Sequence, residues 1–181
     1  MDTFEIVKYP SSILRKKAKE VEHISAEQRE ILDKMAQTMY ENEAVGVAAE
    51  QVDLDMKLIV IDARDKHGLL KLVNPEIVEK EGIEYMDEQC LSCPGVAVRV
   101  PRARKVKVKA KNERGEDVTF EVNGLLARIF QHEIDHLNGR IIIDYLNPVK
   151  RLFVYFRFYL KNLFKRGAAT KVRCWLFLFL S

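Results

Sequence analysis

The chain has 181 residues, of which 48% are hydrophobic and 31% charged, and its formal net charge is +3. This composition suits one globular domain with a sizeable core, and so small a net charge gives no argument for DNA binding. The three cysteines do not suggest a disulfide framework, the N-terminus lacks the apolar run of a signal peptide, and no apolar stretch is long enough to cross a bilayer. We therefore expect a cytoplasmic protein without a transmembrane segment.

The N-terminal part of the chain is predicted to be helical. Ser11 and Ser12 can cap a short helix that continues to about Val21. Residues 25–28 form the capping box of a second helix, which carries apolar side chains on one face and ends just before segment 44–51. The small side chains of that segment allow its backbone to approach another backbone or a ligand closely.

The middle of the chain is predicted to form β-strands, because apolar residues there run together or alternate with polar ones. The predicted strands are residues 57–62, 70–73 with a continuation at 76–78, 82–86, 96–100, 105–109 and 118–122. Lysines that alternate with valines in the fifth of these strands indicate the water-facing side of an antiparallel sheet. Because helices and strands are segregated along the chain, we predict an α+β fold, with antiparallel sheets packed around a central metal-binding helix, N-terminal helices and a C-terminal helix.

The central helix is predicted to begin at about Asn123, a good N-cap residue, and to end before Gly139. His132 and His136 lie one turn apart on one face of this helix, and Glu133 follows the first histidine. This H-E-x-x-H pattern predicts two imidazole ligands for one metal ion and a general base for hydrolysis. The alternative is that each histidine is buried and simply hydrogen-bonds a neighbour.

A catalytic metal ion usually has three protein ligands and one open position. Cys90 is the best candidate for the third ligand, since the chain after His136 lacks the further ligand that a zinc endopeptidase would use. Cys90 and Cys93 are spaced C-x-x-C, which leaves three alternatives open. The two cysteines could close a structural Cys₂His₂ zinc site, form a redox pair, or be small buried side chains.

The C-terminal part of the chain begins with residues 151–164, in which aromatic residues are interleaved with basic ones. This segment is predicted to be a helix that packs on the body of the protein or binds a partner. Residues 174–180 are apolar and could dock on the protein, touch a membrane surface or lack order. We therefore assign residues 1–166 to a catalytic domain that includes the C-terminal helix, and residues 167–181 to an apolar tail.

Three stretches of the chain together resemble the peptide deformylase family, which is marked by G-x-G-x-A-A-x-Q, E-G-C-L-S and Q-H-E-x-D-H in that order. The corresponding stretches here are Ala44-Val45-Gly46-Val47-Ala48-Ala49-Glu50-Gln51, Glu88-Gln89-Cys90-Leu91-Ser92 and Gln131-His132-Glu133-Ile134-Asp135-His136. Each motif is weak by itself, but the three in order are highly specific. The resemblance covers nearly the whole chain to about residue 150.

The resemblance implies a hydrolase that removes the formyl group from the N-terminal formylmethionine of nascent polypeptides and releases formate. It implies one Fe²⁺ ion per chain, bound by Cys90, His132 and His136, for which Zn²⁺, Ni²⁺ or Co²⁺ can substitute. In the bacterial family the C-terminal helix can contact the ribosome. The basic segment 150–166 could do so here.

The resemblance also implies roles for residues around the metal. Glu133 would take a proton from the attacking water and later give one to the departing amine. The side-chain amide of Gln51 and the backbone N–H of Leu91 would stabilise the oxyanion, unless Gln51 is an ordinary buried amide. We further expect Glu88 to orient a histidine ligand and Arg128 to pair with an acidic neighbour.

The substrate is expected to bind along Val45, Gly46, Gln89 and Ile129, with the methionine side chain near Ile129. Two residues depart from the family pattern: Ala44 replaces the first glycine of one motif, and Gln89 replaces the glycine before the cysteine. Both replacements preserve the backbone hydrogen bonds if φ is negative at these positions. A positive φ at either position would impair activity or substrate choice.

Overall fold

A computed structural model describes residues 3–165, with side chains as far as residue 160. Within this range the α-helices are α1 (Ala26–Glu41), α2 (Gly124–Leu137) and α3 (Pro148–Lys165). The strands of the same range are β1 (Gly46–Ala48), β2 (Leu58–Ile61), β3 (Leu70–Glu81), β4 (Glu84–Gln89), β5 (Ala97–Arg102), β6 (Lys105–Asn112) and β7 (Asp117–Asn123). The predicted tail at residues 167–181 lies outside the described residues. Among those that are described, no helix is both long and apolar enough to cross a membrane.

The chain forms one compact unit that ends at Tyr145 and another that begins at Leu146. The strands of the described range all belong to the first unit and form two antiparallel sheets. The larger sheet has the strand order β1-β2-β3-β6-β7, and β4 pairs with β5 in a separate two-stranded sheet. The predicted α+β fold with antiparallel sheets is therefore confirmed. The second unit contains α3, so the helix predicted at residues 151–164 is also present.

The larger sheet contributes to two apolar cores, one shared with α2 and one with α1. Strand β2 explains this arrangement, because successive side chains of a strand point to opposite faces and all four of its residues are buried. Ile59 belongs to the core that includes Phe130 of α2, whereas Val60 belongs to the core that includes Met35 of α1. The helix with the H-E-x-x-H pattern is thus packed directly on a sheet.

The helix predicted at residues 12–21 is wrong beyond its first turn. Ser12–Arg15 is a single 3₁₀ turn, and Lys16 is already extended with φ −82° and ψ 150°. The backbone that follows bonds to a distant element, since the N–H of Ala18 donates to the carbonyl of Leu137 at 2.9 Å. A tertiary hydrogen bond of this kind replaces a helical one, and local sequence gives no sign of it.

Helix α2 begins and ends close to the predicted positions, but the Asn123 side chain makes no capping hydrogen bond. Asn123 instead ends β7 with an extended backbone at φ −136°, and the chain turns at Gly124, which has φ +60°. The N–H of Gly124 donates to the carbonyl of Arg104 at 3.1 Å. At the other end of the helix Gly139 has φ +70°, as a residue just beyond a helix C-terminus often does.

The strand predicted at residues 82–86 lies two residues further along, at β4. Gly82 has φ +67° and turns the chain between β3 and β4, so the strand begins only at Glu84. This shift brings Glu88 and Gln89 into the strand, directly before Cys90.

The turn after α2 provides a test of how tightly the N-terminal segment braces this helix. A Cβ atom added at Gly139 would lie 2.6 Å from the carbonyl oxygen of Arg15, whereas one added at Gly68, which also has positive φ, meets nothing within 4 Å. We expect Gly139→Ala to lower the free energy of unfolding by about 3 kcal/mol, since backbone strain and overpacking both contribute.

Gly68→Ala is the matched control and should cost only about 1 kcal/mol, for strain alone. Urea denaturation of both variants measures the difference. Equal losses for the two variants would contradict the bracing of α2 by residues 15–18.

Candidate metal centre

The two histidines of α2 and a cysteine that follows β4 meet in one buried group. The Nε2 atom of His136 is 3.3 Å from the Sγ atom of Cys90, and the imidazole ring centroids of His132 and His136 are 5.2 Å apart. One ligand atom from each of the three residues lies within 4.8 Å of the other two. A thiolate and two imidazoles are the donors that zinc and iron(II) accept, so the predicted ligand set fits a divalent metal ion chemically.

The carboxylate of Glu88 connects this group to two arginines. Its Oε2 atom lies 2.9 Å from Nδ1 of His132 and accepts a hydrogen bond from Nη2 of Arg102 at 3.0 Å, while its Oε1 atom accepts one from Nε of Arg102, also at 3.0 Å. Arg128 donates to its Oε1 atom at 2.7 Å. Burial disfavours ionisation, but the hydrogen bonds from His132 and Arg102 outweigh it and lower the pKa of Glu88 to about 2. The expected contact of Glu88 with a histidine is present, and Arg128 has its acidic neighbour.

Glu133 lies beside the histidines and is almost fully buried. Burial raises the pKa of its carboxyl group, which makes the carboxylate a better proton acceptor. Its Oε1 atom is close to strand β1, because a Cβ atom added at Gly46 would lie only 2.4 Å from it. A side chain at this position would therefore have to displace the Glu133 carboxylate.

The Gln51 side chain is held so that its amide nitrogen faces the cysteine. Its Oε1 atom accepts a hydrogen bond from the backbone N–H of Ala48 at 2.9 Å, and its Nε2 atom lies 3.5 Å from Sγ of Cys90. Leu91, the residue after Cys90, is anchored through its backbone carbonyl, which accepts a hydrogen bond from the Lys8 side chain at 2.8 Å. Gln51 thus satisfies a backbone group, as an ordinary buried amide would, and still directs a donor towards the centre.

The candidate residues surround one cavity of about 570 Å³. Its lining includes every candidate site residue except His136, namely Val45, Gly46, Gln51, Gln89, Cys90, Leu91, Ile129, His132 and Glu133. A larger cavity of about 820 Å³ is lined by charged side chains such as Lys80, Asp135 and Arg140, and by none of the three candidate ligands. The smaller cavity is therefore the one that belongs to the metal centre.

The two departures from the family pattern are accommodated without backbone strain. Among the described residues, positive φ at non-glycine positions occurs at Glu43, Asp53, Arg64 and Asn74, and at neither Ala44 nor Gln89. An alanine and a glutamine at these positions can therefore make the same backbone hydrogen bonds as glycines.

Cys93 is fully buried next to the centre but is not part of the group of three ligands. A hydrogen bond between the two thiol groups lowers the pKa of Cys90 well below its usual range, although burial opposes the shift. The same hydrogen bond and burial raise the pKa of Cys93. Cys93 lies outside the three residues whose ligand atoms are within 4.8 Å of one another, which argues against the closed Cys₂His₂ site.

Sequence reasoning missed two residues near the centre. Arg102, which binds Glu88, is buried because β5 alternates exposed and buried residues, so it points inward in register with Val98 and Val100. That alternation is the signal that could have indicated it. Glu50 is fully buried, and its two carboxylate oxygens lack a hydrogen-bond partner among the described residues. No sequence pattern indicates this burial.

Two imidazoles, one buried and one half-buried, beside a cysteine sulfur and a buried glutamate in a cavity, are typical of metal-dependent hydrolases. The family model described as polypeptide deformylase matches residues 3–152 of this chain. The peptide deformylase of Halothermothrix orenii is 47% identical over 144 residues, which are 80% of this chain and 94% of that protein.

Solved structures agree with the sequence match. The crystal structure of a peptide deformylase from Legionella pneumophila aligns with a TM-score of 0.83 and 41% identity, and covers 94% of this chain and 99% of that one. The deformylase from Ehrlichia chaffeensis aligns with a TM-score of 0.84 and 30% identity, over 89% of this chain and 97% of that one. The chain belongs to the peptide deformylase family. It is a metal-dependent hydrolase that removes the N-formyl group from nascent polypeptides.

The buried carboxyl group of Glu50 predicts a specific dependence of stability on pH. Burial raises the pKa of Glu50 to about 7 from an ordinary value of 4.5, so the folded state binds this proton more tightly than the unfolded state does. The contribution of Glu50 to the free energy of unfolding must then fall as pH rises from about 4.5 to about 7, by at most about 3 kcal/mol.

We expect Glu50→Gln to remove this fall, so that the variant gains stability relative to the wild type between pH 5 and pH 7.5. Urea denaturation of the metal-free proteins across this range measures the effect. Glu22→Gln, at an exposed residue, is the control and should keep the wild-type profile. Parallel profiles for Glu50→Gln and the wild type would contradict the raised pKa.

Proposed function

We propose that Cys90, His132 and His136 hold the catalytic metal ion of this deformylase. The single observation that supports this is the convergence of their ligand atoms within 4.8 Å in a buried group beside Glu133. We further propose that the ion is Fe²⁺, with Zn²⁺, Ni²⁺ or Co²⁺ able to substitute. Three protein ligands leave one coordination position for a water molecule or the substrate.

Glu133 is proposed to be the general base and acid of the reaction. The bound ion would supply Lewis acidity and lower the pKa of the attacking water. The Oε2 atom of Glu133 has no hydrogen-bond partner among the described residues, so its carboxylate is available to accept the proton. Glu133 would then pass a proton to the amine that leaves as the formyl C–N bond breaks, and formate would be released.

The negative charge that develops on the formyl oxygen needs hydrogen-bond donors. We assign this role to the Nε2 atom of Gln51 and the backbone N–H of Leu91. The hydrogen bond from Ala48 fixes the orientation of the Gln51 amide before substrate binds, and a preoriented donor stabilises a transition state without the cost of reorganisation.

The cavity offers surfaces for the rest of the substrate. Val45 and Ile129 provide apolar side chains at its wall, which suit the methionine side chain of a formylated peptide. Gly46 and Gln89 lie on strands at the cavity, where their backbones can bind the peptide chain. We therefore propose Val45, Gly46, Gln89 and Ile129 as substrate-binding residues.

The chain is proposed to act at the ribosome, in the cytoplasm, with residues 1–166 as the deformylase domain. Helix α3 supports this, since its sequence contains five basic residues and no acidic ones, which suits an RNA surface.

We expect the protein to co-sediment with ribosomes in the cytoplasmic fraction. The double variant Lys150→Glu/Arg157→Glu, which reverses two of these charges, should reduce the amount of protein that co-sediments at least tenfold. Absence of the wild-type protein from the ribosome pellet would contradict the proposal.

The assignment of Glu133 predicts that Glu133→Gln loses activity but keeps its metal. We expect release of formate from formyl-Met-Ala-Ser to fall by about 10³-fold, because the proton acceptor is lost while the ligands remain. Formate release and metal content are measured on protein loaded anaerobically with Fe²⁺. A Glu133→Gln variant that keeps more than a tenth of the activity would exclude Glu133 as the base.

Wild-type protein loaded separately with Fe²⁺, Zn²⁺, Ni²⁺ and Co²⁺ tests the choice of ion in the same assay. The Fe²⁺ form should release formate fastest. Faster turnover by the Zn²⁺ form would contradict the proposed ion without affecting the assignment of the ligands.

A further inference from the structure

Arg128 is a buried arginine on α2, one turn before His132. Its side chain is only 6% exposed, and a buried charge is costly unless it is fully hydrogen-bonded. Its Nη1 atom donates to Oε1 of Glu88 at 2.7 Å and to the carbonyl of Val100 at 3.2 Å. Its Nη2 atom donates to the carbonyl of Glu84 at 3.0 Å. Both terminal nitrogens of the guanidinium are therefore hydrogen-bonded.

All these acceptors lie on the hairpin formed by β4 and β5. Cys90 lies within this hairpin, directly after β4, whereas Arg128 itself lies on the helix that carries His132 and His136. Arg128 thus joins the element that carries the sulfur donor to the element that carries the nitrogen donors.

Arg128 also limits the orientation of the Glu88 carboxylate. The Oε1 atom of Glu88 accepts hydrogen bonds from Arg128 and Arg102, so its Oε2 atom is left facing Nδ1 of His132. A carboxylate at the second nitrogen of a metal-binding histidine fixes the tautomer and the ring orientation. Two arginines therefore determine how His132 presents its other nitrogen.

We propose that Arg128 is a positioning residue for the metal centre, which holds the β4–β5 hairpin and the Glu88 carboxylate so that Cys90 and the two histidines are preorganised for the ion. This inference rests on the ligands assigned under the proposed function. It gives Arg128 a role in binding metal although its guanidinium touches none of the three ligands directly.

The proposed role of Arg128 and simple charge repulsion predict opposite effects of Arg128→Met on the affinity for metal. A cation near a metal ion repels it, so if charge alone mattered, Arg128→Met would tighten metal binding. If Arg128 positions the ligands, the same variant binds metal more weakly. We expect the dissociation constant for Zn²⁺, measured by competition with a chelator, to rise at least tenfold.

The controls separate positioning from general stability. Arg104→Met removes an arginine that donates to the carbonyl of Ile83 at 3.2 Å, next to the same hairpin, without touching Glu88, and should leave the Zn²⁺ dissociation constant within twofold. Arg128→Lys keeps the charge but cannot bind Glu88 and both carbonyls at once, so its loss of affinity should be intermediate. If Arg128→Met does not fold, the Zn²⁺ dissociation constant of Arg128→Lys is the measurement that tests the proposal.

A second readout is the absorption spectrum of the Co²⁺-loaded protein, which reports the arrangement of ligands around the ion. Its ligand-field bands should change in Arg128→Met and stay unchanged in Arg104→Met. Unchanged or tighter Zn²⁺ binding by a folded Arg128 variant, with an unchanged Co²⁺ spectrum, would overturn the proposal. Wild-type protein and Cys90→Ser are measured alongside, and equal Zn²⁺ affinities for these two would instead overturn the assigned ligands.

Discussion

The candidate metal centre depends on the contacts that the buried carboxylate of Glu88 makes with its neighbours. The carboxylate accepts hydrogen bonds from two arginines and contacts His132, and the partners come from β5 and from α2. Burial alone would raise the pKa of this carboxyl group and favour its neutral form, which attracts an arginine much less than a carboxylate does. With these partners it stays ionised to low pH, and its charge offsets those of Arg102 and Arg128.

The same constraint relates the two sheets to the central helix. The five-stranded sheet packs on α2 through apolar contacts, while the β4–β5 hairpin is joined to α2 through buried ionic ones. Apolar packing tolerates small shifts, but a guanidinium bound to a carboxylate and two carbonyls has one geometry. The β4–β5 hairpin, which contains Cys90, is thus the element held by directional hydrogen bonds.

The backbone of strand β1 and the residues just after it lies close to Glu133 and Gln51, two other residues with proposed roles in the reaction. Strand β1 lies so near Glu133 that a side chain at position 46 would displace its carboxylate, and the hydrogen bond from Ala48 orients Gln51 three residues later. One short segment therefore lies against both the proposed general base, Glu133, and the donor proposed for the oxyanion, Gln51. The negative φ at Ala44 explains how this segment keeps its path without the glycine that the family usually has there.

The sequence by itself determined the α+β class, most strands, both later helices and the three motifs, because periodicity and short-range spacing are local properties. The H-E-x-x-H spacing indicated two histidines and a base on one helix face, and the C-x-x-C stretch indicated the sulfur. Only the tertiary structure decided that Cys90 and not Cys93 joins the histidines and that segment 16–21 is not helical. It also decided that the buried Glu50 carboxylate has no hydrogen-bond partner among the described residues. These features depend on contacts between residues far apart in the chain, and local sequence does not encode which distant group supplies a hydrogen bond or removes water.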